Sequence, residues 1–280
     1  MKKLIAITTL SVFSTVFLIF SIFVFSATTN SSPSRFLKLS PISVEAISDS
    51  QDDSITSEVY SSTPSISEIP VTPSYTVEPD KVVYITIDDG PNPITSPLYI
   101  EALKAANVKA TFFMIGKQMN EYPDIVREMV SGGNVIGNHS YSHNYSSVYR
   151  SVYSLDAEIT KTNDIINEIV GKQPKIFRAP GGSLNLIKRD GLEEEISKLG
   201  YVYFDWNVSA ADTDRNYNSK EKVISNMKTQ SKGRKRVVAL MHDNGRKASV
   251  EALPEIIQWF KDNGYEFGTL NENIRPEHFR

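Results

Sequence analysis

Residues 81–91 read Lys-Val-Val-Tyr-Ile-Thr-Ile-Asp-Asp-Gly-Pro. The run from Val82 to Ile87 is β-branched and aromatic, the composition of a strand. It stops at two adjacent carboxylates and a Gly-Pro turn signal. Beyond it, helix and strand patterns alternate. Helical spacing is expected over Ser96–Ala106, Tyr122–Val130, Leu155–Val170, Leu192–Leu199, Ser219–Thr229 and Val250–Asp262. Strands are expected at Ala110–Ile115, Asn134–Ile136, Lys175–Arg178, Tyr201–Val208, Arg236–Met241 and Tyr265–Leu270. This alternation implies parallel strands joined by right-handed crossovers. The expected class is α/β, a distorted and incomplete (β/α) barrel of about seven parallel strands.

Upstream of residue 81 the composition changes. All 14 glycines lie at or beyond Gly90, so turn-rich folded structure is expected only from there on. Thr28–Asp80 holds 20 Ser or Thr and six Pro among 53 residues, with no apolar periodicity. Such a stretch has little apolar surface to offset the entropy of ordering, and reads as a flexible spacer. Leu4–Ala27 carries no charge and follows Lys2 and Lys3. As a helix it would span about 36 Å, enough for a bilayer core of about 30 Å. Val24-Phe25-Ser26 is a poor cleavage site, so 1–27 reads as a retained anchor with a cytoplasmic N-terminus rather than a signal peptide. If the segment were cleaved, the remainder would be secreted. The expected organisation is 1–27 anchor, 28–80 spacer and 81–275 catalytic domain, on the outer face of the membrane.

The chain of 280 residues has a formal net charge of -3. It therefore lacks the excess of base that a general nucleic-acid binder needs. It has no cysteine, which excludes disulfide scaffolds, thiolate metal sites and cysteine nucleophiles. A metal would have to be held by His, Asp or Glu, and there are only four His.

In parallel barrels the chemistry gathers at the C-terminal ends of strands. Asp88-Asp89 ends the first strand, and adjacent carboxylates suit a cation or a proton-transfer role. His139 and His143 follow the Asn134–Ile136 strand; four residues apart, they would project together from a helical turn and could share a metal. Arg178-Ala179-Pro180-Gly181-Gly182 ends another strand. There Arg178 could hold a carboxylate by a two-pronged hydrogen bond, and Gly-Gly could open its N–H groups to an oxyanion. Trp206 and Asp212 accompany the Tyr201–Val208 strand, and Leu240-Met241-His242 ends the next. Singly, each has a plain structural explanation: an Asp-Gly turn, loop histidines, a Pro-Gly turn, a core Trp, a capping Asp, a satisfied buried His. Together they place five polar strand ends on one rim.

In order and spacing, Val82–Leu270 resembles the NodB-homology polysaccharide deacetylases of carbohydrate esterase family 4. The matching segments are Thr86-Ile87-Asp88-Asp89-Gly90, His139-Ser140 to His143, Arg178-Ala179-Pro180-Gly181-Gly182, Trp206 with Asp212, and Leu240-Met241-His242. The resemblance implies a NodB-type barrel and metal-dependent removal of N-acetyl groups from an extracellular polysaccharide. By the same resemblance Asp89, His139 and His143 hold the metal, Zn2+ above all, with Co2+, Ni2+ or Fe2+ as alternatives. Asp88 would be the general base, oriented by Arg178, and His242 the general acid, tuned by Asp212. The Gly181 amide would steady the oxyanion, with Pro180, Trp206 and Leu240 lining the substrate site. Peptidoglycan is the expected polymer, acted on by a monomer. Chitooligosaccharides and O-acetylated glycans such as xylan or an exopolysaccharide are alternatives. Other classes to weigh are a catalytically silent wall-binding domain and a metal hydrolase of cyclic amides.

Four positions depart from the family pattern. Ile87 replaces Phe, Gly181 replaces an aromatic residue, Thr213 stands where Trp is usual, and Ser209 where some members have Asp. Gly181 and Thr213 imply lost apolar walls and a more open groove. His278 has no assigned role and reads as part of a solvated tail.

Overall fold

The computed structural model describes residues 74–214 and 219–279. The expected anchor over 1–27 and most of the spacer lie outside the described residues. Among the described residues, no helix is long and apolar enough to cross a membrane.

Strand β1 (Val82–Asp89) is followed by α1 (Ser96–Ala106), β2 (Thr111–Met114), α2 (Gly116–Glu121), α3 (Pro123–Ser131) and β3 (Val135–Asn138). Then come α4 (Tyr145–Val148), α5 (Val152–Val170), β4 (Ile176–Phe177), α6 (Leu184–Ile187), α7 (Leu192–Lys198), β5 (Val202–Tyr203) and β6 (Val208–Ser209). The chain ends with α8 (Lys220–Ser231), β7 (Arg236–Asp243), α9 (Lys247–Asp262) and β8 (Glu266–Gly268). The strand order is β5-β4-β3-β2-β1-β7-β6, with β8 paired to the start of β1. Every pairing is parallel. This is the curled, open α/β barrel that the alternation implied.

The expected strand Tyr201–Val208 is two strands at opposite ends of the sheet. β5 pairs β4 and β6 pairs β7, so the chain between them crosses the opening of the barrel. Trp206 lies in that crossing. The short helices α2, α4 and α6 are too brief to show helical periodicity in sequence.

Alternation along β1 divides its side chains between two cores. Val83, Ile85 and Ile87 pack with α1, α8 and α9 residues such as Leu103, Met227 and Leu253. Val82 and Tyr84 pack with Phe113, Ile176, Phe204, Val238 and Leu270. Thr86 and Asp88 continue the second set, so Asp88 enters the barrel interior and is 3% exposed. Strand β7 repeats the pattern, and its register sets Asp88 beside His242 and Asp89 beside Asp243.

Contacts at both ends extend beyond 81–275. The Thr76 amide donates to Asn273 O at 2.8 Å. Glu78 accepts from Arg236 at 2.9 Å and from the Tyr84 hydroxyl at 2.6 Å. His278 is exposed, as expected of the C-terminal tail, yet it stacks on Tyr203 at 4.0 Å, and its Nε2 lies 3.1 Å from Tyr203 O. The Glu277 carbonyl accepts from the Asp205 amide at 2.7 Å, so the last residues lie along the barrel opening.

Candidate active site

Asp88 and Asp89 are neighbours with different surroundings. Asp88 Oδ1 accepts from Arg178 Nη1 at 2.7 Å. Asp89 has φ 72, a left-handed turn that breaks the strand alternation. Its carboxylate lies 3.5 Å from His143 Nε2 and 3.9 Å from His139 Nε2.

The segment His139–His143 is a loop, not the expected helical turn. Ser140 at φ 65 and His143 at φ 56 fold it back on itself. Glu158 on α5 secures it, accepting from the amides of Tyr141 and Ser142 at 2.9 and 2.7 Å. The imidazole rings end 4.9 Å apart. The ligand atoms of Asp89, His139 and His143 all lie within 4.8 Å of one another. His139 Nδ1 lies 2.7 Å from the Arg178 carbonyl. A carbonyl only accepts, so Nδ1 carries the proton and Nε2 keeps its lone pair. Burial lowers the His139 pKa against the pull of Asp88, which favours the neutral, ligating form.

Arg178 is fully buried, and each side-chain nitrogen has a partner. Nε donates to Phe204 O at 2.9 Å and Nη2 to Asp205 O at 3.0 Å. Nη1 donates to Thr86 Oγ1 at 2.6 Å and to Asp88 Oδ1. The expected two-pronged bond to a carboxylate is therefore a single prong, which leaves Asp88 Oδ2 facing the His139 side at 3.8 Å.

The Arg178-Ala179-Pro180-Gly181-Gly182 segment turns sharply, with the Gly182 amide donating to Ala179 O at 2.8 Å. Pro180 followed by Gly181 at φ 72 is the pattern of a type II turn. The space over Gly181 is not open: a Cβ there would lie 2.5 Å from the Tyr145 hydroxyl oxygen. A Cβ on Gly182 would lie 2.5 Å from the Phe279 ring. Trp206 packs edge-on against Phe279 at 4.8 Å, and the Arg178 guanidinium lies 5.7 Å from its ring. Leu240 is buried within β7, two residues before His242.

On the other side of β1, His242 Nδ1 lies 2.7 Å from Asp212 Oδ1. Asp212 Oδ2 accepts the His242 amide at 2.8 Å and the Ser249 hydroxyl. Arg246 donates to the carbonyls of Asp212 and Thr213, at 3.3 and 3.0 Å. Burial lowers the His242 pKa, but the Asp212 hydrogen bond and charge outweigh it, and the pKa is raised to about 9. Asp212 moves down: burial raises its pKa, and the bonds from His242 more than reverse this.

Asp205 and Asp243, both buried, had no role assigned from sequence. Asp205 accepts the Ser183 amide at 2.8 Å and the Phe279 amide at 2.7 Å, tying the Gly-Gly turn to the C-terminal residues. Asp243 accepts from the hydroxyls of Thr95 and Ser96, and burial raises its pKa. It also borders a cavity of ≈ 380 Å³ with Asp89, Asn92, Gln118 and His143.

The family model "Polysaccharide deacetylase" matches residues 76–204. A peptidoglycan-N-acetylglucosamine deacetylase of Bacillus cereus is 32% identical over 196 residues, covering 69% of this chain and 70% of the relative. This chain belongs to the polysaccharide deacetylase family. The peptidoglycan-N-acetylmuramic acid deacetylase PdaC of Bacillus subtilis is 34% identical over 199 residues, 70% of this chain and 40% of that protein. The crystal structure of the catalytic domain of a peptidoglycan N-acetylglucosamine deacetylase from Eubacterium rectale superposes with a TM-score of 0.69 at 32% identity. It covers 75% of this chain and 97% of that one. These relationships make the chain a hydrolase of carbohydrate esterase family 4, with a NodB-type barrel. The family model stops at residue 204, whereas the match to the Bacillus cereus relative runs over 196 residues.

Proposed function

We propose that this polysaccharide deacetylase removes N-acetyl groups from hexosamine residues of peptidoglycan, with a divalent ion held by Asp89, His139 and His143. The reading rests above all on one observation. Asp88 Oδ2, left over by the Arg178 bond, His139 with its Nδ1 turned to the Arg178 carbonyl, and His242 paired to Asp212 occupy one strand-end rim.

The donor set fits an ion: two imidazoles and one carboxylate, no thiolate, and a His139 Nε2 freed by the Nδ1–H bond to Arg178 O. Zn2+ suits it best, and Co2+, Ni2+ and Fe2+ suit it less well. When bound, the ion would supply Lewis acidity to a water and to the acetamide carbonyl. Asp88, fixed through Oδ1 by Arg178, would take the proton of the attacking water at Oδ2. The Gly181 N–H would donate to the oxyanion as the carbonyl becomes tetrahedral. His242, charged at neutral pH through Asp212, would protonate the leaving amine. Acetate and an amino sugar would result. The silent wall-binding alternative loses ground because both proton-transfer groups have partners that hold them in place, Arg178 for Asp88 and Asp212 for His242.

In the proposed organisation, 1–27 would anchor the chain with its N-terminus inside, and the Ser/Thr/Pro-rich spacer, expected over 28–80, would reach to the wall outside. The test is mass spectrometry of muramidase-digested peptidoglycan and of N-acetylglucosamine oligomers after incubation with the zinc-loaded chain. The expected result is loss of an acetyl group with wild type and none with Asp89→Asn. Equal acetyl loss with both proteins would overturn the ligand assignment. No loss with wild type would overturn the deacetylase reading.

A further inference from the structure

We propose that Tyr145 is the aromatic wall of the sugar subsite, stacking on the hexosamine ring whose acetamide is cleaved; this rests on the deacetylase reading above. Tyr145 opens α4 and is 50% exposed, so its ring presents a face to solvent beside the site. It is held in place from behind. Asn144 caps its helix, accepting from the amides of Ser146 at 3.0 Å and Ser147 at 3.3 Å. Its ring packs on Tyr149 at 6.0 Å, and the Tyr149 hydroxyl donates to Pro180 O at 2.6 Å.

Its position links two parts of the site. On one side its ring lies 5.7 Å from the His143 ring. On the other its hydroxyl oxygen lies where a side chain on residue 181 would begin. An acetamide reaching both the Asp89–His143 cluster and the Gly181 amide would bring its sugar carbon against Tyr145. A hexopyranose face is rich in C–H groups, and a braced, half-exposed aromatic ring is a low-entropy surface for it. Gly181 and Tyr145 are thus complementary. A side chain at 181 would collide with Tyr145, and the wall missing at 181 is supplied from α4.

The test is steady-state deacetylation of N-acetylglucosamine tetramer by the zinc-loaded full chain. For Tyr145→Ala we expect KM to rise roughly tenfold, with a much smaller change in kcat. Tyr145→Phe and Tyr145→Trp should retain wild-type KM, whereas Tyr145→Leu should not. Unchanged KM in Tyr145→Ala, or a Leu variant equal to Phe, would overturn the inference while leaving the deacetylase reading intact. Should Tyr145→Ala fail to fold, the Phe and Leu pair still decides the matter. If wild type releases no acetate, calorimetric titration with the same tetramer separates the two ideas. Roughly tenfold weaker binding in the Leu variant supports the wall and removes the deacetylase. No binding by wild type overturns both.

Discussion

The two sides of β1 meet their charges in different ways. Around His242, both oxygens of Asp212 are engaged, by the imidazole, the His242 amide and the Ser249 hydroxyl. Around Asp89, the approaches of imidazole nitrogen to carboxylate are 3.5–3.9 Å, longer than an N–H···O bond. The first side is complete as a protein network, and its product is a histidine whose pKa is raised to about 9. The second has three ligand atoms within 4.8 Å of one another and suits an ion. Arg178 acts within the barrel interior: it fixes Asp88 and takes the carbonyls of Phe204 and Asp205 from the barrel opening.

Each side can be broken separately. The largest effect is expected for Asp89→Asn, with loss of bound zinc by elemental analysis and a fall in kcat/KM of roughly 10³-fold or more. Arg178→Met should act next, through stability. It leaves the buried Asp88 charge unpaired, at a cost of about 3–5 kcal/mol in a denaturant titration. Asp212→Asn sharpens the comparison through pH. With His242 raised to about 9, the stabilisation from its pairing is complete below the ordinary value of 6.5 and is lost as pH rises through 9. The alkaline limb of kcat/KM should therefore lie near pH 9 in wild type. In Asp212→Asn burial acts without its counter-charge, so the limb should move to lower pH with zinc still bound. The smallest effect is expected for Phe279→Ala, about 1–2 kcal/mol in stability by the same titration, because that ring packs against Gly182 and Trp206 at the edge of the opening.

How far the sequence revealed this site follows from range. Strand β1 and the Asp88-Asp89 pair were legible because one run of β-branched residues fixes both the strand and its end. His139 and His143 were legible as a pair by spacing, yet the helical turn imagined for them was wrong. Left-handed Ser140 and His143, secured by Glu158 from α5, bring the rings together, and periodicity carries no trace of that. The split of Tyr201–Val208 was hidden for the same reason: which strands those residues pair with is decided by β4 and β7. Asp205, Asp243 and Tyr145 belong to no spacing pattern. Their surroundings come from residues far along the chain, such as Phe279 for Asp205 and Thr95 for Asp243. The signal available was position alone, since both carboxylates sit near strand ends. His278 gave no signal, as its partner Tyr203 lies 75 residues away.

The account turns on two adjacent aspartates doing different work, and Asp88→Asn tests that most directly. Zinc content and acetate release would be measured together on the full chain and its variant. The prediction is one zinc per chain in both proteins, with release by the variant reduced roughly 10²- to 10⁴-fold. Loss of zinc from Asp88→Asn, or acetate release close to wild type, would contradict it.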